Sequence, residues 1–489
     1  MKKPIKINAF LIMTAAITAP LPASAASLLE IYQQALQSDP LIHEAEARRL
    51  AALEAEPQAR GVLLPQIRFG GDWTKTDTDG SGIENAVNQD PDTGEIIVTP
   101  VPFSTVIEDE TTRWSFELRQ TLFRWDQIVG LRRADKTVAR AEADREAAQQ
   151  DLIVRVTQRY FDVLAAEDRL LARHANKNAI ARQLEQAKQR FDVGLIAITD
   201  VQESQAAFDQ SVADEIAAKR ELATAREFLR EITGQYVAEL SAPAENLPLR
   251  SPDPSGEQEW IDLAMTQNLA LVASRIDEEL ARDEIALRRN GHFPTVELVA
   301  NTGNDDSTSE RNNNNIGFLP ADSDFDRDSI SIQFNLPLFA GGTTTSQVKE
   351  AVYLHRAARE QLQRVTRETE RATRDAYLGV LSEISRVQAL EQAVASSQTA
   401  LEATQAGFEV GTRTIVDVLD AQFQLFQAIT NFYQARYDYI LNAMRLRQAA
   451  GMLQVQDLER FDQFLAPRKT PEQQFADEAA ASGGGQESE

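Results

Sequence analysis

The chain has no cysteine, which excludes disulfides, thiolate metal sites and a thiol nucleophile. Its four histidines, His43, His174, His292 and His355, are scattered, and no two fall in an H-x-x-x-H or H-E-x-x-H spacing. No glycine-rich phosphate loop or nucleophile elbow is present either. Residues 75–80 superficially resemble a calcium loop, but Lys75 stands where the first carboxylate belongs and Ala86 where the bidentate Glu belongs. These absences point away from an enzyme and from any cofactor or metal. Positive charge is also scarce. Lys and Arg total 50 against 75 Asp and Glu, a net charge of −25, which argues against nucleic acid or anionic lipid headgroups as partners. Beyond the first 25 residues no apolar run reaches the ~18 residues of a membrane helix, so a membrane could be entered only as strands. Proline is missing from two long tracts, 125–242 and 338–466.

The N-terminus carries Lys2, Lys3 and Lys6, an apolar run from Ala9 to Leu21 and an A-x-A site at Ala23-Ser24-Ala25. This is the pattern of a secretory signal peptide over residues 1–25, with a mature chain beginning at Ala26.

What the chain does have is a repeat. Phe191-Asp192-Val193-Gly194-Leu195-Ile196-Ala197-Ile198-Thr199-Asp200-Val201 aligns without a gap, at an offset of 217, with Phe408-Glu409-Val410-Gly411-Thr412-Arg413-Thr414-Ile415-Val416-Asp417-Val418. The register extends back to Tyr160 and Tyr377 and forward to Gly234 and Gly451, so the chain contains a duplicated unit. The first copy covers 26–242 and the second 243–465, with a disordered tail expected over 466–489. Each copy reads as helix, strand, loop, strand, long helix, tip and helix.

In the first copy, helical spacing over Leu28–Arg60 precedes a strand at Gln66–Trp73, a loop over 75–112 and an alternating strand at Arg113–Gln120. A helix from Trp125 to Phe191 would be roughly 100 Å long at 1.5 Å per residue, a length that belongs to coiled coils. Gly194 ends it, and Thr199 or Asp200 can cap the next helix, which stops at Gly234. In the second copy, a helix from Glu257 to Arg289 leads to a strand at Val296–Ala300, a loop over 301–328 and an alternating strand at Ser329–Leu336. Val416, Leu419, Phe423, Phe426, Tyr433, Tyr437, Ile440 and Met444 then hold a coiled-coil spacing. Four strands per chain cannot close a barrel, and an open sheet edge in lipid leaves backbone groups unsatisfied, so closure demands several chains. Two chains would give eight strands, and three would give twelve and a lumen. Aromatic residues near strand ends (Phe69, Trp73, Trp114, Phe123, Trp125, Phe293, Phe339) suit interfacial girdles, and suit core packing equally.

Asp417 and Asp420, spaced i, i+3, share a helix face, and the first copy repeats the pair as Asp200 and Glu203. Such a pair is an ordinary solvated face unless several copies converge on an axis. In that case it becomes a carboxylate ring that selects cations and raises the pKa of some of its members.

At Gly411-Thr412-Arg413-Thr414-Ile415-Val416-Asp417-Val418-Leu419-Asp420, Ala197-Ile198-Thr199-Asp200-Val201-Gln202, Leu63-Leu64-Pro65-Gln66 and Ser346-Gln347-Val348-Lys349, the sequence resembles the TolC family of outer-membrane efflux ducts. The resemblance runs from about Ser27 to Leu465 apart from the two strand loops. It implies an α+β membrane protein: a homotrimer whose four strands per chain form a twelve-stranded outer-membrane β-barrel, continuous with a periplasmic α-helical barrel of coiled-coil hairpins. The loops 75–112 and 301–328 would then be extracellular. The resemblance also implies roles. Arg413 would tie the second hairpin to Thr199 and Asp200 across to the neighbouring subunit. Asp417 and Asp420 would line the constriction. Gly194 and Gly411 would shape the tips on which a periplasmic adaptor docks, joined to an inner-membrane pump or ABC exporter. Where the best-known member has a tyrosine bonded to an aspartate, this chain has Phe408, which implies a less firmly held closed state. The expected function is efflux of drugs, detergents or bile salts, with type I protein secretion as a further or sole duty. The rival of another class is a coiled-coil adhesin or spacer without a pore, which would have no use for the alternating strands.

Overall fold

The structure, a computed structural model, describes residues 25–476 except 90, 92, 238, 245–246 and 315–316. Apart from Ala25, the expected signal peptide lies outside the described residues, as does the tail beyond 476.

Helices α1 (Leu28–Ser38), α2 (Pro40–Leu53) and α3 (Ala55–Gly61) replace the single helical tract expected there. The first break is chemical: Asp39 is extended at the end of α1, Pro40 cannot continue the helix, and the Asp39 carboxylate accepts the Leu41 N–H at 2.8 Å. Strands β1 (Gln66–Gln89) and β2 (Ile96–Phe123) follow, then α4 (Trp125–Asp192), α5 (Ile198–Thr233) and the short β3 (Ser241–Pro243). The second copy supplies α6 (Glu257–Gln267), α7 (Leu269–Arg289), β4 (Thr295–Asn313), β5 (Gly317–Asn335), α8 (Thr343–Glu409) and α9 (Ile415–Ala449). The chain continues with α10 (Val455–Asp462) and β6 (Leu465–Pro467). Both long helices have the proline-free, Ala/Glu/Arg/Gln-rich composition that keeps straight side chains and free backbone N–H groups throughout.

Contacts divide the chain into two compact units that cut across the duplication. The strand unit comprises residues 46–144 and 270–365, and the helical unit the rest.

In the strand unit each copy gives one hairpin to a single antiparallel sheet of order β1-β2-β4-β5. The register puts Ile67 opposite Leu118 and Phe69 opposite Phe116. Leu118 lies opposite Ala300, and Ala300 opposite Ile330. Leu298 and Ile332 form the next pair on this face, followed by Val296 and Phe334. One face thus carries a band of apolar side chains, half-buried at Leu118, Val296, Leu298 and Ala300 and exposed in the single chain on the outer strands, with Ile330 at 77% and Ile67 at 70%. The opposite face presents Arg68, Glu117, Asn301, Ser329, Ser331 and Gln333. This is the apolar-out, polar-in alternation of a membrane barrel wall. Among the described residues β1 and β5 have no strand partner on their outer edges.

The loops expected over 75–112 and 301–328 are corrected here. They are strand for most of their length, with pairing that runs unbroken from Gln66↔Arg119 to Gln89↔Ile96 and from Thr295↔Asn335 to Asn313↔Gly317. Beyond the apolar band, polar runs such as Lys75–Asp79, Ser307–Arg311 and Asp322–Asp324 are interspersed with exposed Ile83, Val87, Phe318 and Phe325, so the strict hydrophobic period of two vanishes from the sequence while the backbone ladder persists.

The β1–β2 hairpin outreaches its neighbour. β2 pairs with β4 only up to Thr105↔Asn313, leaving its second edge without a strand partner beyond that point. Ser104 N–H donates to Asn314 Oδ1 at 2.9 Å and its carbonyl accepts the Asn314 N–H, so Ser104 faces that edge. Pro102 and Pro100 share its parity, and as imino acids neither offers a backbone donor along that edge.

The core of the helical unit gathers Leu28, Ile31, Tyr160, Leu164, Leu229, Trp260, Ile440, Met444 and Leu458 from both copies. The twin tyrosines act alike. The Tyr160 hydroxyl donates to Ser241 O at 2.6 Å, and that of Tyr377 donates to Ser255 O. The disordered tail expected from 466 is corrected for residues 466–476. β6 pairs with β3, Arg468 ion-pairs with buried Asp168, the Tyr437 hydroxyl donates to the same carboxylate at 2.5 Å, and Phe475 stacks on His174 with ring centroids 3.8 Å apart. Burial raises the Asp168 pKa, while Arg468 and Tyr437 pull it back. A polar tail is held because it brings the cation that a buried acid needs.

Candidate functional site

The two tips are built by the same hydrogen bonds. At the first, Gly194 takes φ +77°, its N–H donates to Phe191 O at 2.8 Å, and Leu195 N–H donates to Arg190 O at 2.9 Å. At the second, Gly411 takes φ +79°, its N–H donates to Phe408 O at 3.1 Å, and Thr412 N–H donates to Gly407 O at 2.8 Å. These four bonds match at the repeat offset. A left-handed residue closes each helix end, and glycine adopts it without Cβ strain.

The helices that leave the tips begin differently. Thr414 caps α9 in a full capping box: Asp417 N–H donates to Thr414 Oγ1 at 3.2 Å, and Thr414 N–H and Oγ1–H reach Asp417 Oδ2 at 2.8 and 3.0 Å. Those two bonds from Thr414, with the Arg413 charge, hold the Asp417 carboxyl below its ordinary value. α5 starts from Ala197 with no side-chain cap, so the expectation that Thr199 or Asp200 caps it is corrected. The cap position falls two residues earlier than Thr199, on a side chain with no acceptor.

Arg413 is exposed, and its guanidinium makes no hydrogen bond or ion pair among the described residues. Room for its stem comes from Gly407, where a Cβ would lie 2.8 Å from Arg413 Cγ. Thr199 is exposed and Asp200 half-buried, and the chain does not bring Arg413 to either. Asp420 is exposed with its carboxylate unbonded, whereas Asp417 is already engaged by the cap. Phe408 is half-buried against a small cluster of Leu401, Val418 and Leu425. The Arg190 guanidinium lies over its ring, 4.7 Å from the centroid. Beside them lies a cleft of about 710 Å³ whose lining includes Arg182, Gln186, Arg190, Gln405, Phe408 and Gln422. The Arg190–Phe408 contact and the service of Gly407 were not read from the sequence. The repeat signalled them, since Gly407 occupies the position equivalent to Arg190.

Further up the first hairpin, Glu215 is buried beside Lys177, His174 and Lys219. Burial raises its pKa, but the three bonded donors outweigh this and hold it at about 2. Among the described residues no group of three or more His, Asp or Glu side chains could hold a metal ion, and no helix is long and apolar enough to cross a membrane.

Comparison with known proteins accounts for this combination. The family model "Outer membrane efflux protein" matches residues 31–235 and 260–452. Outer membrane protein TolC of Vibrio cholerae is 40% identical over 436 residues, covering 89% of this chain and 92% of that protein. TolC of Escherichia coli is 36% identical over 439 residues, covering 89% and 84%. The crystal structure of the outer membrane protein VceC from Vibrio cholerae superimposes with a TM-score of 0.67 at 19% identity, covering 87% of this chain and 96% of that one. With a four-stranded wall that closes only when copies join edge to edge, and coiled-coil hairpins cast from one repeat, the chain belongs to the outer membrane efflux protein family, as a TolC-like trimeric channel of the bacterial outer membrane with a periplasmic extension.

Proposed function

We propose that the trimer is a gated exit duct whose closed end is made by the second hairpin tips. The observation that carries this is the state of Thr412-Arg413-Thr414: an exposed arginine whose guanidinium makes no hydrogen bond or ion pair among the described residues, one turn before the Asp417–Asp420 face. Three such tips on one axis would set Arg413 against Thr199 and Asp200 of the neighbouring chain and turn the acidic faces into a ring. Asp420 would supply the free charge of the ring, while Asp417 keeps the helix start rigid. A few inter-chain links of this kind break together when the tips splay, which makes a switch. Phe408 takes part through its ring rather than through a hydroxyl. The first tip, with Val193, Leu195 and Ile198 exposed, offers an apolar surface near Gly194 for a periplasmic adaptor, and Gly411 shapes its counterpart. The adaptor and an inner-membrane pump or exporter would supply both cargo and energy. Amphiphilic small molecules are the cargo favoured here, and secreted polypeptides the alternative. The channel itself performs no chemistry.

The test is single-channel conductance of the purified trimer in a planar bilayer, with pH and a trivalent cation titrated from the periplasmic side. A small cation-selective current, blocked by acid or the cation in wild type and not in Asp417→Ala/Asp420→Ala, is expected. Equal block in both proteins removes the ring. Absence of current from well-inserted trimer removes the duct.

A further inference from the structure

A second cavity, of about 300 Å³, lies in the helical unit between the proline-rich segment that joins the two repeats and helices α9 and α10. Part of its wall is apolar: Trp260 is 1% exposed, and Tyr439, Leu446 and Phe461 lie beside it in the lining. Hydrogen bonds fix those walls. The Trp260 indole N–H donates to Pro254 O at 2.7 Å, so the ring is held in place. The Tyr439 hydroxyl donates to Arg250 O at 3.0 Å and accepts the Arg250 N–H at 2.8 Å, which pins the proline-rich segment to α9.

Three arginines also line this cavity: Arg250, Arg447 and Arg460. The acids among its lining are Asp253 and Asp457, which leaves one positive charge in excess on a chain whose net charge is −25. Asp457 is buried and shared, with Arg447 Nε at 2.8 Å and Arg460 at 3.6 Å. One of its oxygens also accepts the Gln454 N–H at 3.0 Å. Arg447 Nε, although close to that carboxylate, is buried without a directed hydrogen bond. The Arg250 guanidinium has no ion pair or hydrogen bond among the described residues, and its charge is felt at the Tyr439 hydroxyl. A partly open apolar pocket with convergent, incompletely partnered donors at its mouth is the arrangement of a small-molecule site, and the volume lies at the small end of such sites. A guanidinium fork suits a carboxylate better than any neutral acceptor.

We propose that this cavity binds a small amphiphilic carboxylate, with an aryl or short acyl body against Trp260, Tyr439, Leu446 and Phe461 and its carboxylate among Arg250, Arg447 and Arg460. The site stands apart from the duct reading, because it uses none of the tip residues and selects the opposite charge from the acidic face there.

Trp260 is a built-in reporter. The chain has four tryptophans, and Trp73→Phe/Trp114→Phe/Trp125→Phe leaves it alone. The full-length trimer in detergent-free nanodiscs would be titrated with 6-bromo-2-naphthoate and with its neutral primary amide, reading heavy-atom quenching of Trp260. The carboxylate should quench saturably, with the amide at least tenfold weaker. Arg250→Glu, an exposed change, should weaken the carboxylate tenfold or more without altering the unliganded emission spectrum or the melting temperature. Ala443→Phe, which fills the cavity, should abolish quenching by both. Equal affinity for carboxylate and amide, an unchanged affinity in Arg250→Glu, or quenching that does not saturate in correctly melting trimer would each overturn the proposal and leave an ordinary packing gap.

Discussion

At the first tip the chain reads Gly194-Leu195-Ile196-Ala197, and at the second Gly411-Thr412-Arg413-Thr414, with glycine φ values of +77° and +79° and the same two closing hydrogen bonds. What differs is the surface laid on that shared backbone. Both expose a valine, Val193 and Val410, but the first also exposes Leu195 and Ile198, where the second has Thr412 and buried Ile415, and the first starts its next helix uncapped. The second presents threonines and an arginine and locks its helix with a reciprocal cap. Duplication supplied two copies of one mechanical part, and substitutions at 195–197 against 412–414 were enough to leave one tip apolar and the other polar and charged. The hairpins behind the tips diverge in the same way. The first buries Glu215 against Lys177, Lys219 and His174, whereas the second packs Leu401, Val418 and Leu425.

The strongest way to break the equivalence of the copies lies at their last matched glycines. A Cβ on Gly451 would fall 2.1 Å from Gln267 O, at φ +73°, whereas on Gly234 it would meet only the Ser38 side chain at 3.3 Å. Gly451→Ala should prevent recovery of folded trimer. Gly234→Ala should cost about 1–2 kcal/mol per chain, the penalty of a left-handed L-residue, read as a modest fall in melting temperature. Similar losses in the two variants would contradict the packing described.

Exchanging the tip surfaces comes next in size. Arg413→Ala should raise single-channel conductance severalfold and leave adaptor cross-linking intact. Leu195→Ser should do the reverse. If both variants move the same readout, the division of labour between the tips is wrong. Phe408→Tyr restores one hydroxyl and should lower the closed-state leak by about fivefold, the worth of one net hydrogen bond near 1 kcal/mol. An unchanged conductance would mean that the Arg190 contact already holds the ring.

The gentlest test transplants the cap. Ala197→Thr recreates Thr-x-x-Asp with Asp200 and should slow amide exchange in the first turn of α5 roughly fivefold, while Thr414→Ala speeds it in α9 by a similar factor. The added protection should depend on pH in a predictable direction. Bonding depresses the Asp417 pKa below 3.8, so the cap contributes fully above that value and is lost as pH falls through the depressed one. Protection in α9 that persists through acid would show that the carboxylate is not what holds the turn.

The repeat, the long helices, the tip glycines and the membrane-strand reading were legible because each rests on local chemistry: proline-free tracts, glycine at a left-handed position, alternation along Arg113–Gln120 and Ser329–Leu336. Strand length was not legible, because Asp322, Asp324, Asp326 and Asp328 alternate with Ser323, Phe325 and Arg327, and a mostly polar ladder looks like a loop until its partner is known. Nor was the docking of residues 466–476, since Asp168 and Arg468 are 300 residues apart and nothing in either neighbourhood names the other. Of the site, the sequence supplied the residue types, but not which acid the cap would claim.

Pro100 and Pro102 lie on the projecting edge of β2 without disturbing its pairing to β1. In a membrane crowded with many such trimers, every one raising three stiff ribbons into the same thin layer, ribbons with intact donors would zip to their neighbours and gather the ducts into immobile rafts. Two imino acids per chain remove two of the donors that such pairing along this edge of β2 would need.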